Sequence, residues 1–427
     1  MSVSAVLFIV FGILLFLNVP IAIALGLSSI VALFMTGVPL SMFPRIIAAS
    51  TGKFTLLAIP FFILAGIIME KSGISERLIK FANKAVGHLT AGLAIVAVIT
   101  SCFFAAISGS GPATVAALGA ILIPAMTKAG YGKGMSSALL ATSGAIGIII
   151  PPSIAFVVYG MIAEVSIGRL FIAGIVPGLV VGAALIVASL IISYNKDYGQ
   201  QSRASFREVM VAFKGAFWGL LTPVIILGGI YGGIFTPTEA AGVAVIYGLF
   251  VGVFIYKKIK WKEFMTILVD SSVSSAVVML IVANASLFAW IVTTEGIATA
   301  ASNLLLNISS NKYVLLLVIN VLLLIAGCFI DAISAYMILV PILLPTILQI
   351  GYDPIAFGVM MTVNLAIGQI TPPVGVNLYV ACGISKISLK EISRALTPFL
   401  IASFIALMII TYFPAVSLWL PNIMGMK

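Results

Sequence analysis

Apolar runs of membrane-spanning length recur along almost the whole chain, from Ala5 to Leu420, with short polar links between them. Each helical crossing of the hydrocarbon needs roughly 17–25 residues. Soluble domains carry about a quarter charged residues, whereas 8% of this chain is charged and 62% is hydrophobic. A water-exposed shell cannot be built from that inventory, so the chain reads as an all-α polytopic membrane protein. The net charge of +10 would suggest nucleic acid in a soluble protein. Here the charges sit in a few interhelical links, so topology explains them and no nucleic-acid partner is expected. Cys102, Cys328 and Cys382 lie in apolar stretches without short spacings, which fits packing residues better than a disulfide or a metal set. His88 is the only histidine, which removes histidine clusters and His-based triads. No Lys or Arg precedes Arg45, so the first segment lacks the positive region of a cleaved signal and is read as a retained helix.

Spans are expected at about 3–17 and 20–36, joined by Asn18-Val19-Pro20, and at about 54–70, followed by a charged amphipathic stretch to His88. The long apolar region 90–128 is interrupted by Ser108-Gly109-Ser110-Gly111-Pro112, and the region 313–350 is broken around Asp331-Ala332. Each suits a re-entrant helical hairpin, or alternatively two ordinary spans with a tight turn. The remaining spans fall at about 134–162, 170–193, 216–235, 239–256, 264–292, 355–384 and 395–420. With both interrupted regions as hairpins, ten spans remain and the termini share one side. Termini outside leaves seventeen Lys and Arg inside, counting Lys196, and five outside, counting Lys427. The positive-inside rule favours that orientation, with both termini periplasmic.

A shift of 221 residues aligns Pro124 with Pro345, Gly147 with Gly368, Pro151-Pro152 with Pro372-Pro373, and Pro177 with Pro398. Four of the five prolines between 106 and 177 coincide in this way, where random placement yields fewer than one. The chain therefore divides into repeats at 1–215 (spans about 3–193, hairpin about 90–128) and 216–427 (spans about 216–420, hairpin about 313–350). Each repeat holds five spans, an odd number, so the second must sit inverted. Inverted repeats with broken helices are an architecture of secondary transporters.

Proline, glycine and serine interrupt helices at 108–112, 143–153, 327–334 and 364–377, and the repeat pairs these breaks. Non-helical backbone at bilayer depth is tolerated where protein buries it or where it lines a cavity. Freed carbonyls can hold a small cation, and half-helix N-termini present amides to an anion. Asp331 takes the place of the repeat-related Ser110 and is read as set deep in an apolar region. An intramembrane carboxylate is costly; a sodium ligand, a proton carrier or a helix-end acceptor would each suit it. No Lys or Arg lies in the breaks, so a bound acid must rely on amides, hydroxyls and amide side chains. Glu164, Glu239 and Glu295 fall at expected outer ends and read as interfacial or structural.

The sequence resembles the large membrane subunit of tripartite ATP-independent periplasmic (TRAP) transporters. The residues that carry this are Asn18-Val19-Pro20, Ile59-Pro60-Phe61-Phe62, Ser108 to Thr114, Ile150-Pro151-Pro152-Ser153 and Thr371-Pro372-Pro373-Val374-Gly375. Hairpin tips followed by paired prolines also look like the wider group of sodium-coupled dicarboxylate carriers. The resemblance implies a fold of the ion-transporter superfamily and sodium-coupled uptake of an organic acid, a C4-dicarboxylate or sialic acid, across the bacterial inner membrane. It also implies an elevator mechanism, with a transport part at about 90–165 and 313–385 moving against a scaffold. A small four-helix membrane subunit, read as absent from this chain because Met1 leads directly into the first span, and a soluble periplasmic binding protein would be its partners. Sodium is the only ion expected and no cofactor is. One sodium site is assigned to Ser108, Ser110, Gly144, Gly147 and Pro151, and its mate to Gly327, Asp331, Ser334, Gly368, Thr371 and Val374. Ser110, Gly111, Thr114, Ser153, Asn364 and Asn377 are assigned to the acid. The chain has no glycine-rich loop ending in Gly-Lys-Ser or Gly-Lys-Thr, no His-Glu-x-x-His and no Gly-x-Ser-x-Gly, so neither an ATPase nor an enzyme is expected. The competing readings are a stand-alone sodium/dicarboxylate symporter and an ion exchanger.

Overall fold

The computed structural model describes residues 2–194, 198, 202–309 and 311–426; Lys196 and Lys427 of the charge count lie outside the described residues. Twenty α-helices follow one another among them. Among the described residues, nine helical segments are long and apolar enough to cross a membrane, and seven shorter apolar helices accompany them. Large apolar side chains such as Phe34, Val224, Ile246 and Val269 stay exposed on helix surfaces. Hydrocarbon is the solvent that tolerates such a surface, so the chain is a multi-pass membrane protein.

Helix α1 (Val3–Phe16) turns at Asn18 into α2 (Ile21–Thr36). The short amphipathic α3 (Met42–Thr51) precedes α4 (Ala58–Lys71) and α5 (Ile74–Val86), which buries Ile74, Leu78 and Ala82 at helical spacing. Two helix pairs follow the expected interruptions: α6 (Gly92–Ser108) with α7 (Gly111–Lys128), and α15 (Lys312–Phe329) with α16 (Ala332–Gln349). Each pair is succeeded by a helix in two halves: α8 (Lys133–Ala145) with α9 (Ile154–Ala163), and α17 (Pro354–Gly368) with α18 (Val376–Ser385). The spans expected at 134–162 and 355–384 are thus interrupted where the prolines lie.

Between these units run α10 (Ile167–Ser193), α11 (Phe206–Tyr231), α12 (Pro237–Phe250), α13 (Trp261–Thr294) and α14 (Ile297–Ile308). Thr236 and Glu239 cap α12 reciprocally, as Ser205 and Glu208 cap α11. The expected span 264–292 is extended in α13 to 34 residues, about 50 Å of helix. The expected span 395–420 is two helices, α19 (Leu389–Tyr412) and α20 (Ala415–Ile423), separated at Phe413-Pro414. Pro414 has no N–H to continue the ladder.

Packing divides the helices into two groups. In the first, α13 packs on α2, α3 and α4, and α4 packs on α12. In the second, contacts recur in pairs under the 221-residue shift: α7 on α18 as α16 on α9, and α8 on α19 as α17 on α10. The groups meet where α4 and α5 touch α6, and where α13 and α14 touch α16.

Candidate functional site

At the first tip, α6 ends on Gly109 in the left-handed region (φ 61°), where a side chain would come within 2.9 Å of Pro152 O. Ser110 is extended and precedes α7 without bonding to that helix's amides through its side chain. Instead Thr114 Oγ1 donates to Ser110 O at 2.8 Å and lies 2.8 Å from Ser108 Oγ. A Cβ at Gly147 would sit 2.6 Å from Ser110 O and 2.8 Å from Thr114 Oγ1; Gly144 stands against Val115 in the same way. Ser108, Ser110, Thr114, Gly144 and Gly147 are therefore brought together, with the Pro151-Pro152 link under Gly109.

At the second tip, Asp331 caps α16. Its Oδ1 accepts from Ile333 N and Ser334 N, each at 3.0 Å, and its Oδ2 from Ser334 Oγ. Gly368 lies directly on Gly327, where a Cβ would meet backbone at 2.6 Å. Val374 N donates to Cys328 O at 3.3 Å, and Thr371 Oγ1 to Ile367 O at 2.7 Å. The residues assigned to the second cluster thus also gather around one link. Asp331 is partly buried and lines two cavities.

The larger cavity, about 280 Å³, lies between the two packing groups. Ile63, Gly66, Ile67 and Glu70 of α4, with Ser274 and Val278 of α13, form one wall. Both tips and Gln369 form the other. A smaller cavity of about 180 Å³ lies against Ile21, the 327–331 stretch, Gln369 and 374–376. Among the described residues, the charged ones lining these two cavities are Glu70 and Asp331, with no Lys, Arg or His. Such walls offer hydroxyls, amides and carbonyls rather than a cationic clamp.

Of the residues assigned to the acid, Ser110 lines the larger cavity. Gly111 abuts the side chains of Gln369 and Asn377. Thr114, Ser153 and Asn377 are fully buried; Ser153 Oγ donates to Ile148 O and Asn377 Nδ2 to Ala141 O. Asn364 lies in the interior between α17 and α15, where its Nδ2 donates to Asn320 O and Oδ1 at 3.0 and 2.9 Å. Hydropathy cannot tell which face of α17 meets a cavity. Sequence reasoning missed Gln369 and Glu70; the signal for Gln369 was a polar residue at the boundary of an apolar run inside an expected break.

Solved structures share this architecture. The YdaH transporter of Alcanivorax borkumensis superposes with a TM-score of 0.66 at 16% identity, covering 89% of this chain and 88% of that one. Neisseria gonorrhoeae MtrF superposes with a TM-score of 0.56 at 16% identity, covering 87% and 83%. The likeness shows a shared all-helical, polytopic fold.

The family follows from sequence. Residues 8–416 match the family described as tripartite ATP-independent periplasmic transporter, DctM component, and the chain belongs to it. It is 46% identical over 374 residues to the C4-dicarboxylate TRAP transporter large permease protein DctM of Pseudomonas aeruginosa, covering 88% of each chain. It is 40% identical to the sialic acid TRAP transporter large permease protein SiaM of Vibrio cholerae, covering 96% of each. It is 45% identical over 97% of its length to the isethionate TRAP transporter permease protein DctMQ of Oleidesulfovibrio alaskensis, of which it spans 66%. The chain is thus a transport component of a TRAP system and not an enzyme.

Proposed function

We propose that this subunit carries an organic acid into the cell across the bacterial inner membrane, driven by sodium. The observation that carries the reading is the convergence of two tips and Gln369 on one cavity against the α4–α13 wall. In this reading the helix pairs are re-entrant hairpins within two inverted repeats. The first sodium would be held by carbonyls and hydroxyls around Ser108, Ser110, Gly144, Gly147 and Pro151. The second would be held around Gly327, Asp331, Ser334, Gly368, Thr371 and Val374. Relatives named for C4-dicarboxylates, sialic acid and isethionate support a substrate in the class of small organic acids. Moving one charge through 100 mV yields about 2.3 kcal/mol, which makes sodium an effective drive.

The α6–α9 and α15–α18 units would move together as an elevator, and α10 and α19, which pack on α17 and α8, would travel with them. A small membrane subunit and a periplasmic binding protein would complete the system, with both termini of this chain periplasmic. The test is uptake into liposomes containing this chain with its membrane partner, supplied with the binding protein. Uptake should need an inward sodium gradient and should be stimulated by the binding protein. Equal uptake with potassium in place of sodium would overturn the coupling. Equal uptake without the binding protein would favour a stand-alone carrier.

A further inference from the structure

The two cavities share three residues, Pro112, Asp331 and Gln369, which form the partition between them. Pro112 has no polar side-chain group. The Asp331 carboxylate is already occupied by three hydrogen bonds from the start of its own helix. Gln369 is different. Its backbone is fixed, with N–H donating to Leu365 O and O accepting from Asn377 N, each at 3.0 Å. Its side chain reaches across to the first residue of α7, and a Cβ on Gly111 would collide with its Oε1.

That oxygen is buried and has no hydrogen-bond partner among the described residues, and Gln369 as a whole is 8% exposed. It therefore stands at the positive end of α7, a helix whose Ser110 N-cap makes no side-chain bond to it. A side-chain amide offers two donors and one acceptor. An acid entering a cavity without Lys, Arg or His needs neutral donors of this kind.

We propose that Gln369 is a substrate-contacting, specificity-determining residue. In the empty site its oxygen lies against Gly111 at the start of α7; the acid group displaces it there and takes a hydrogen bond from the Gln369 amide. This rests on the functional reading above and adds to it the group that receives the acid.

The test compares Gln369→Leu, Gln369→Glu and Gln369→Asn in the complex with its membrane partner and binding protein. Radiolabelled succinate, sialic acid and isethionate serve as probes. For whichever acid the unmodified complex carries, Gln369→Leu should raise KM about ten- to a hundredfold, the loss of a hydrogen bond to a charged group. Gln369→Glu should be worse, because it keeps the shape and adds a repelling charge. Gln369→Asn should alter the relative uptake of the three acids. The sodium half-saturation of Gln369→Leu, read at saturating acid, should stay within about threefold, since the sodium clusters are left intact. Its melting temperature should hold or rise, because a buried unpaired acceptor has been removed. Unchanged KM in a folded Gln369→Leu complex would overturn the proposal. So would a KM loss that simply follows a fall in melting temperature. If the unmodified complex carries none of the acids, the functional reading fails first and this inference falls with it.

Discussion

The tips at 108–110 and 330–331 occupy equivalent places in the chain yet solve the same problem with opposite chemistry. Both must start a helix, α7 or α16, beside a cavity. At the second tip Asp331 satisfies the first amides of α16 with its own carboxylate. At the first tip Ser110 leaves the start of α7 without side-chain bonds, and its carbonyl is turned to Thr114. A carboxylate-bearing tip favours a cation nearby, whereas uncapped amides at a helix start favour an anion. One repeated frame can in this way bring a carboxylate and uncapped amides to the same cavity.

The largest expected effects test whether the two tips really share a floor. Gly147→Ala and Gly368→Ala each drive a methyl into backbone, at Ser110 O and at Gly327 respectively. Both should cost about 1–3 kcal/mol or more and sharply lower the yield of folded protein. If only one is damaging, as measured by thermal unfolding in detergent, the equivalence of the tips breaks. Removing a cap is the next test. Asp331→Ala should destabilise by about 0.5–2 kcal/mol, whereas Asp331→Asn keeps the capping oxygen and should cost a few tenths.

Transplanting the chemistry sharpens the contrast further. Ser110→Asp supplies a capping carboxylate to α7 and should stabilise it by up to about 1 kcal/mol. Acid uptake should nevertheless fall, because a negative charge now faces the cavity. The smallest effect belongs to Ser110→Ala, within about 0.5 kcal/mol in stability, since the Ser110 carbonyl rather than its hydroxyl is engaged in the fold. Its signature should be a higher KM for the acid at unchanged melting temperature.

Sequence alone located the breaks well because proline, glycine and serine act on the backbone locally. Gly109, Pro151-Pro152 and Pro372-Pro373 interrupt helices whatever surrounds them. The amphipathic helices α3 and α14 escaped notice because they are 10 and 12 residues long and fall between spans rather than within them. The division at Pro414 was absorbed into an apolar run that continues on both sides. Side-chain roles were harder to read. Asn364 and Gln369 are five residues apart in one expected break, yet the first faces Asn320 in the interior and the second faces both cavities. Which of them meets a solute depends on where α17 stops turning, and no composition rule sets that residue. Asp331 was legible as an isolated carboxylate at a break, but its capping bonds became visible only with the fold.

The Asp331 carboxylate at the second tip is the group proposed to help hold sodium. The most direct measurement is a sodium titration of acid uptake by liposomes holding Asp331→Asn with the membrane partner and binding protein. The fold should survive, because Asn retains volume and cap. The sodium half-saturation should rise clearly, and acid affinity should fall in step, since linkage between the two ligands is reciprocal. A well-folded Asp331→Asn protein with unaltered sodium affinity and full activity would contradict the account.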